Sequence, residues 1–350
     1  MNRRTALVIV AAALLAATGP VSAQQPIVIK FSHVVAVDTP KGKGAEYFKK
    51  LAEERTKGRV KVEVYPNSSL FKDGEEMEAL QLGSVQLLAP SLAKFGPLGV
   101  REFEVFDLPY IFDNYDELHK VTDGPVGAAL FKKLESKGIV GLAYWDNGFK
   151  VMSANKPIRV PADYKGLKMR IQSSKVLGDE MKALGSIPQV MAFSEVYQAL
   201  QTGVVDGTEN PPSNFYTQKM QEVQKFLALT DHGYLGYAVI ANKKFWDGLP
   251  ADVRTTLEGA MKDATKFAND IAQKENDRRA RRGQGFGQDR DHHAHARPEG
   301  GDEEGARCRA QGKRIARRQG HDCRGVQGNR LQALMPVRRR RRTSDRREAR

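Results

Sequence analysis

A single arginine, Arg170, stands between the apolar residues Met169 and Ile171 in the stretch GLKMRIQSS, residues 166–174. This alternation predicts a strand that turns Arg170 to one face near the strand's end. A guanidinium is a planar fork of N–H donors that matches a carboxylate through two parallel hydrogen bonds. Because a buried cation is costly without an anion, Arg170 should pair either with an internal Asp or Glu or with the carboxylate of a ligand.

A second polar position, Asn210, follows 40 residues later in the stretch AFSEVYQALQTGVVDGTENPP, residues 192–212. The stretch predicts a helix at 193–202 that Ser194 caps, and then a turn at Asp206-Gly207. The prolines that follow hold the backbone of Asn210 extended, so its amide can be offered to a ligand carboxylate or hydroxyl. The alternative is an asparagine that only caps a turn.

Three further residues could line a binding site. Lys150 stands just after a glycine in the turn that is predicted to leave YWDNG, residues 144–148, and we expect its ammonium near the rim of a cleft, partly hydrated. His33 comes directly after the first predicted strand, where binding residues of open α/β sheets gather, although a lone histidine is more often structural. Trp145 is either a wall of the pocket or part of the core.

The chain carries no recognisable signature of catalysis or nucleotide binding. It has no Walker loop, no GxGxxG and no HExxH, and no Ser or Cys nucleophile stands with a His and a carboxylate at a known spacing. Both cysteines, Cys308 and Cys323, lie near the C-terminus, so residues 1–277 offer neither a disulfide framework nor a cysteine-ligated metal site. We therefore expect no enzymatic activity and no cofactor.

The elements that must position these residues alternate between strands and helices. Strands are predicted at 27–32, 60–65, 85–89, 138–145, 151–155, 168–172 and 238–240, and helices at 41–57, 74–82, 175–184, 193–202 and 250–277. The opening β-α-β-α-β order favours a mainly parallel sheet flanked by helices, and a second unit of the same class follows. The last helix is long and has no internal breaker.

The first 23 residues resemble an export signal. A basic start, MNRR, precedes an apolar run of 12 residues and a small-residue cleavage site at Val21-Ser22-Ala23. The run is short for a membrane span, which makes a helical anchor the less favoured alternative. The mature chain is predicted to begin at Gln24 outside the cytoplasm.

The net charge of +14 belongs to the C-terminal tail. Residues 278–350 hold 22 Lys and Arg against 9 Asp and Glu, which leaves 34 against 33 for residues 1–277. Lysine dominates the basic residues of the body and arginine those of the tail. Three interpretations follow: a basic arm that contacts nucleic acid or anionic lipid, a solvated disordered tail, or translation in a shifted reading frame.

The genetic code favours the shifted frame. When the first nucleotide is dropped, the codons for residues 291–296, DHHAHA, permit Ile-Ile-Thr-Leu-Thr-Pro, a strand followed by a helix start. The codons for residues 301–306, GDEEGA, likewise permit Ala-Met-Lys-Lys-Ala-Leu, an amphipathic helix. We therefore interpret residues 278–350 as a frameshifted, disordered tail and expect no nucleic-acid binding from it.

The body as a whole resembles the DctP-type substrate-binding proteins of TRAP transporters, in the branch that binds C4-dicarboxylates. The resemblance covers about residues 26–277. It is carried by FSHVV, TPKGKGAEYF, VEVYPNSSLFKDGEEMEALQLGSVQL, AYWDNGFKVMSANKPI, GLKMRIQSS and MAFSEVYQALQTGVVDGTENPPSNFYTQKMQEVQKFLALTDHGYLGY, in which the block AFSEVYQALQTGVVDGTENP is the most specific. It implies an α/β fold of two lobes, each a mainly parallel sheet flanked by helices, with a long helix crossing both. Lobe I would take residues 24–147 and about 236–277, and lobe II residues 148–235. The family also has a C-terminal strand and helices where this chain has its tail.

The resemblance assigns roles to the candidate residues. The family's carboxylate-binding arginine falls on Arg170, its site asparagine falls on Asn210, and Lys150 stands at a second basic position that is arginine in some branches. Three other positions match residues that line the family's cleft: His33, Trp145 and Asn214.

The implied function is that of a monomeric periplasmic protein that binds an organic acid and delivers it to TRAP membrane subunits. A C4-dicarboxylate such as succinate, malate or fumarate is the favoured ligand, and a keto, aromatic or sugar acid is the alternative. A secreted enzyme that acts on an organic acid is the least favoured interpretation.

Overall fold

The computed structural model describes residues 25–283. The predicted signal peptide, residues 1–23, lies outside the described residues, and so does the predicted altered tail beyond residue 283. Residues 278–283 continue a helix.

Ten strands and nine α-helices occur within residues 25–283. The strands are β1 Ile27–Ser32, β2 Val60–Tyr65, β3 Leu87–Leu88, β4 Ile139–Phe149, β5 Val151–Ala154, β6 Lys168–Ile171, β7 Ile187–Val190, β8 Gly207–Asn210, β9 Phe226–Ala228 and β10 Tyr234–Asn242. The helices are α1 Pro40–Arg55, α2 Glu76–Gln81, α3 Tyr115–Thr122, α4 Pro125–Leu134, α5 Lys175–Ala183, α6 Val196–Thr202, α7 Pro212–Thr217, α8 Lys243–Asp247 and α9 Ala251–Gly283.

The strands form two sheets, each the centre of one lobe. The first sheet has the order β2-β1-β3-β10-β4, and the second has the order β7-β6-β8-β5-β9. In each sheet four of the five strands point the same way and one runs against them, β10 in the first sheet and β5 in the second. The predicted two-lobed α/β fold with mainly parallel sheets is thus confirmed. The β-α-β order of the sequence produces parallel strands, and the antiparallel strand of each sheet is the one that the chain enters on crossing from the other sheet.

Two short crossovers carry the chain between the lobes. Only Lys150 separates β4 of the first sheet from β5 of the second. The chain returns between β9 and β10, and the Lys150 backbone N–H donates to the Gly233 carbonyl oxygen at 2.8 Å, which ties the two crossovers together.

Where a turn was predicted to leave YWDNG, the strand β4 continues to Phe149 instead. β4 runs through these residues, and the register against β10 passes from Gly148 to Asp146, so Asn147 forms a β-bulge. A bulge re-aims the side chain of the extra residue, and Asn147 is turned to contact Tyr237 and Ser213. Pairing with the long strand β10 overrides the local turn signal of Asp-Asn-Gly.

The long helix α9 contacts both lobes. Its small residues Ala264 and Ala268 are buried in the core of the first sheet with Trp145. Further along, the Asn276 side chain donates to the Asn147 carbonyl oxygen of β4 at 2.6 Å and accepts from the Ser213 N–H of α7 at 2.9 Å. The prediction of a helix that crosses both lobes is therefore confirmed.

Some local predictions were only approximate. The strand expected at 238–240 extends over the nine residues of β10, and that expected at 85–89 shortens to β3. The helix expected at 193–202 begins with a 3₁₀ turn, Phe193–Glu195, and no side-chain cap from Ser194 is present there.

Candidate functional site

A narrow cavity lies between the two lobes and has an empty volume of about 290 Å³. It is lined by Val34, Val35, Asp73, Ser91, Lys94, Arg170, Gln172, Phe193, Asn210, Asn214, Leu235 and Tyr237. A larger groove lies between α4, β4 and α9 on another face of the first lobe, and none of the cavity residues lines it.

Arg170 reaches this cavity from β6 and is buried. Its Nε and Nη2 donate to the carbonyl oxygen of Met191 at 3.1 and 2.8 Å, and the guanidinium carbon lies 5.6 Å from the centre of the Phe193 ring. Among residues 25–283, no Asp or Glu oxygen lies within 4.0 Å of the guanidinium, and Nη1 forms no hydrogen bond. Burial lowers the pKa of Arg170, against the attraction of Asp73 and Glu209. An internal carboxylate therefore does not complete the pairing of this cation within the described structure.

The opposite wall of the cavity carries a second cation, Lys94. Its ammonium lies 2.5 Å from an Asp73 oxygen and also pairs with Glu76, which is buried. The other Asp73 oxygen accepts from the Phe193 backbone N–H at 2.6 Å, so Asp73 joins the first lobe to the second. Burial alone would raise the pKa of Asp73, but the charge and hydrogen bond of Lys94, with the bond from Phe193, leave it below its usual value.

The two predicted asparagines lie in the cavity wall of the second lobe. Asn210 ends β8 opposite Val151, and its Nδ2 donates to the Thr208 hydroxyl at 3.3 Å. Asn214 lies in α7, where Nδ2 is 3.4 Å from the Tyr237 hydroxyl and the buried Oδ1 has no partner among the described residues.

Lys150 does not line the cavity. Its ammonium is buried and lies 2.7 Å from Oε2 of Glu209, which also receives His232 Nε2 at 3.1 Å. The expectation of a partly hydrated ammonium at the cleft rim is wrong, because the crossover from β4 to β5 directs Lys150 inward. Burial lowers the pKa of Lys150, but the neighbouring carboxylates, Glu209 foremost, raise it by more. The net pKa is above its usual value, so Lys150 is charged.

Glu180, Glu209 and His232 are buried together, with one oxygen or nitrogen of each within 4.8 Å of the others. Such a trio can hold a metal, but here the ammonium of Lys150 already lies against Glu209 and supplies the positive charge. Metal ligation would require that ammonium to move away.

His33 and Trp145 are fully buried in the first lobe, away from the cavity lining. Burial, and then the charge of Lys41, lower the pKa of His33 to about 3, so its imidazole is neutral. Trp145 packs against Phe31 with ring centres 6.0 Å apart, and its Nε1 donates to the Thr265 hydroxyl at 2.8 Å. The structure thus brings Arg170, Asn210 and Asn214 together in the cavity and places Lys150, His33 and Trp145 behind it.

Sequence reasoning missed the cavity wall of the first lobe. The sequence analysis singled out none of four residues in it, which come from loops, a 3₁₀ turn and a strand: Asp73, Ser91, Lys94 and Tyr237. Asp73 and Tyr237 lie in stretches that resemble the family, but nothing local marked them as binding residues. One signal was present, because Lys94 stands in the apolar run Ser91-Leu-Ala-Lys-Phe95 much as Arg170 stands in its strand.

Residues 31–284 match the family described as bacterial extracellular solute-binding protein, family 7. The chain belongs to this family. It is 71% identical over 273 residues, 78% of this chain and 82% of the relative, to the C4-dicarboxylate-binding periplasmic protein DctP of Rhodobacter capsulatus.

Two solved structures of family members also match closely. A TRAP periplasmic solute-binding protein from Sulfurospirillum deleyianum with bound succinate gives a TM-score of 0.79 at 44% identity, over 89% of this chain and 100% of that chain. A second such protein, from Pseudomonas aeruginosa with bound L-malate, gives a TM-score of 0.77 at 42% identity, over 84% of this chain and 100% of that chain. These matches confirm the family and the two-lobed fold predicted from the sequence. No helix within residues 25–283 is both long and apolar enough to cross a membrane.

Proposed function

We propose that this protein is a periplasmic binding protein that captures a C4-dicarboxylate in the cavity between its lobes and delivers it to TRAP membrane subunits. The observation that carries the proposal is Arg170, a buried guanidinium that lines the cavity without a carboxylate partner in the described structure. A ligand carboxylate completes its pairing. The similarity to the Rhodobacter capsulatus protein and to structures with succinate and L-malate supports a four-carbon diacid.

The ligand is held from both lobes. Arg170 and Asn210 reach it from the second lobe, while Tyr237 and Ser91 face it from the first. Because contacts to both lobes exist only when the cleft is closed, binding favours the closed arrangement. We infer that the second lobe, predicted from the sequence as residues 148–235, moves as one body against the rest. Its hinges are Lys150 and Gly233, because residues 148–149 and 234–235 belong to strands of the first sheet.

Lys150 acts on this site indirectly. Its ion pair neutralises Glu209, the residue directly before Asn210 in β8, and so holds that strand in place. Asn210 makes the direct contact with ligand. His33 and Trp145 support the wall of the first lobe from behind.

The test is a thermal-shift screen of the secreted protein against succinate, malate and fumarate, with pyruvate, benzoate and gluconate as keto, aromatic and sugar acids. We expect the three diacids to raise the unfolding temperature most, since a ligand that binds only the folded state stabilises it. Mass spectrometry of each acid after incubation should show no conversion. The proposal fails if no acid in the panel shifts the transition, or if a diacid is converted to product.

N-terminal sequencing of the same sample tests the export signal. A mature chain that begins at Gln24 is expected, and an uncleaved start at Met1 in the membrane fraction would indicate an anchor instead. Size-exclusion chromatography should show a monomer.

A further inference from the structure

Two hydroxyl groups stand side by side on the cavity wall of the first lobe. Ser91 and Tyr237 are direct partners in an antiparallel β-bridge, and both line the cavity. Side chains at such opposed positions share a face, with Cβ atoms about 5 Å apart. This spacing lets two donors meet the two oxygens of one carboxylate.

Both hydroxyls have an unused donor. Ser91 Oγ is buried and has no hydrogen-bond partner among residues 25–283. The Tyr237 oxygen accepts from Asn147 Nδ2 at 2.7 Å and from Asn214 Nδ2 at 3.4 Å. Because a phenol oxygen that accepts twice still carries its own hydrogen, Tyr237 can donate into the cavity.

A buried lysine, Lys41, lies against the ring of Tyr237. The ammonium of Lys41 is 3.6 Å from the centre of the Tyr237 ring and donates to the Ala89 carbonyl oxygen at 2.9 Å. Its neighbour Lys94 is paired with two carboxylates, but no described carboxylate oxygen lies within 4.0 Å of Lys41. A buried cation without a counter-ion favours an anion nearby.

We infer that Ser91 and Tyr237, with Lys41 against the tyrosine ring, form a subsite for the second carboxylate of the ligand, opposite Arg170. The inference rests on the proposed function, in which Arg170 takes the first carboxylate. The subsite makes the protein selective for diacids, because a monocarboxylate of equal length leaves two hydroxyls and a cation without an acceptor.

Calorimetric titration with succinate and with butyrate, its four-carbon monocarboxylate counterpart, tests the subsite. The variants are Ser91→Ala and Tyr237→Phe, and the matched controls are Ser186→Ala and Tyr144→Phe. The control hydroxyls donate to the Met181 and Gly127 carbonyl oxygens and do not line the cavity. Ser91→Ala removes no hydrogen bond within the described structure, so it keeps the test valid even if Tyr237→Phe folds poorly.

We expect the parent to bind succinate at least about 100-fold more tightly than butyrate, and each subsite variant to lose about 10- to 100-fold in succinate affinity, the range for a bond to a charged group. Butyrate affinity should change little, and the control variants should match the parent.

The subsite is ruled out if both variants keep parental succinate affinity, or if they weaken succinate and butyrate equally. Arg170→Ala separates the two hypotheses: if it abolishes succinate binding while the subsite variants do not, the proposed function stands and the subsite fails. If the parent binds no diacid, both fail.

Discussion

Arg170 and Lys150 look alike in the sequence, because each is a cation within or next to a predicted strand. The structure separates them by their partners. Lys150 faces Glu209 across 2.7 Å, whereas Arg170 donates to the Met191 carbonyl oxygen and faces the cavity. The partner of Lys150 lies 59 positions away in the chain, so no local pattern could have paired them.

Arg170→Ala should weaken succinate binding by roughly 30-fold to several thousandfold, because it removes a desolvated charge contact of about 2–5 kcal/mol. Arg170→Lys should also lose much of the affinity, since an ammonium cannot reproduce the planar fork. Calorimetric titration of both variants, with melting curves recorded without ligand, measures the effect. Parental affinity in Arg170→Ala, combined with a much lower melting temperature, would show that this arginine is purely structural.

Lys150→Met should act on folding more than on binding. The substitution leaves the buried carboxylate of Glu209 without the ammonium that neutralises it. Removing one partner of a buried ion pair lowers the free energy of unfolding by about 3–5 kcal/mol. Urea unfolding should show this loss, and Glu209→Gln added to Lys150→Met should restore much of it. If the single variant is as stable as the parent, the ion pair does not contribute as its burial indicates.

Succinate affinity should fall with rising pH because of Lys41. Burial, and then the charge of Lys94, lower the pKa of Lys41 to about 7, against the attraction of Glu76 and Asp73. Below that pH the amine is charged and attracts the ligand; above it the amine is neutral. Ligand carboxylates stay ionised from about pH 6 to about pH 9, so the amine of Lys41 is the group that changes charge. Bound succinate should raise the pKa of Lys41 by about one unit, which corresponds to about a tenfold loss of succinate affinity across that range.

Lys41→Met provides the control for this pH dependence. Its succinate affinity should be low at about pH 6 and nearly constant to about pH 9, where the carboxylates are unchanged. A parental slope in this variant would assign the titration to another group, such as Glu180, whose pKa burial raises to about 6.

At the scale of elements, periodicity predicted most strands and helices, and failed where distant pairing decides. β1 and β2 match their predicted ends because alternation and turn residues mark them locally. Only three residues of β10 were predicted as strand, since Tyr234, Gly236 and Tyr237 interrupt the apolar run. All nine residues are nonetheless buried between neighbours on both sides, which only the completed sheet provides.

The packing of α1 on α9 depends on a glycine. A Cβ at Gly44 would lie 2.9 Å from the Cβ of Ala268 and 3.2 Å from the Trp145 ring. Gly44→Val should therefore destabilise the first lobe by about 1–3 kcal/mol through overpacking. Gly74→Val is the matched control, because nothing lies within 4 Å of its added Cβ. Urea unfolding of the two variants should separate them, and equal stability would mean that the helices yield without cost.

At the scale of the whole molecule, the sequence predicted one side of the cavity and missed the other. Arg170, Asn210 and Asn214 belong to continuous stretches of the second lobe that resemble the family. Ser91 and Tyr237 stand 146 positions apart and meet only because β10 returns from the second lobe into the first sheet. Tertiary pairing of this kind has no signature in a single sequence.

Closure of the whole molecule should be visible in solution. Small-angle X-ray scattering of the parent should show a smaller radius of gyration when saturating succinate is added, because contacts to both lobes favour the closed cleft. Arg170→Ala under the same conditions should keep the larger radius. An identical curve for the parent with and without succinate would argue that binding does not move the lobes.

The tie between the two crossovers has a mechanical consequence. Lys150 is the only residue between β4 and β5, and its N–H donates to the carbonyl oxygen of Gly233 in the return crossover. We propose that the halves close by rotation about this tie rather than by sliding along it. Each bound acid would then set an angle between the halves. A membrane partner that contacts both halves would sense that angle without touching the acid itself.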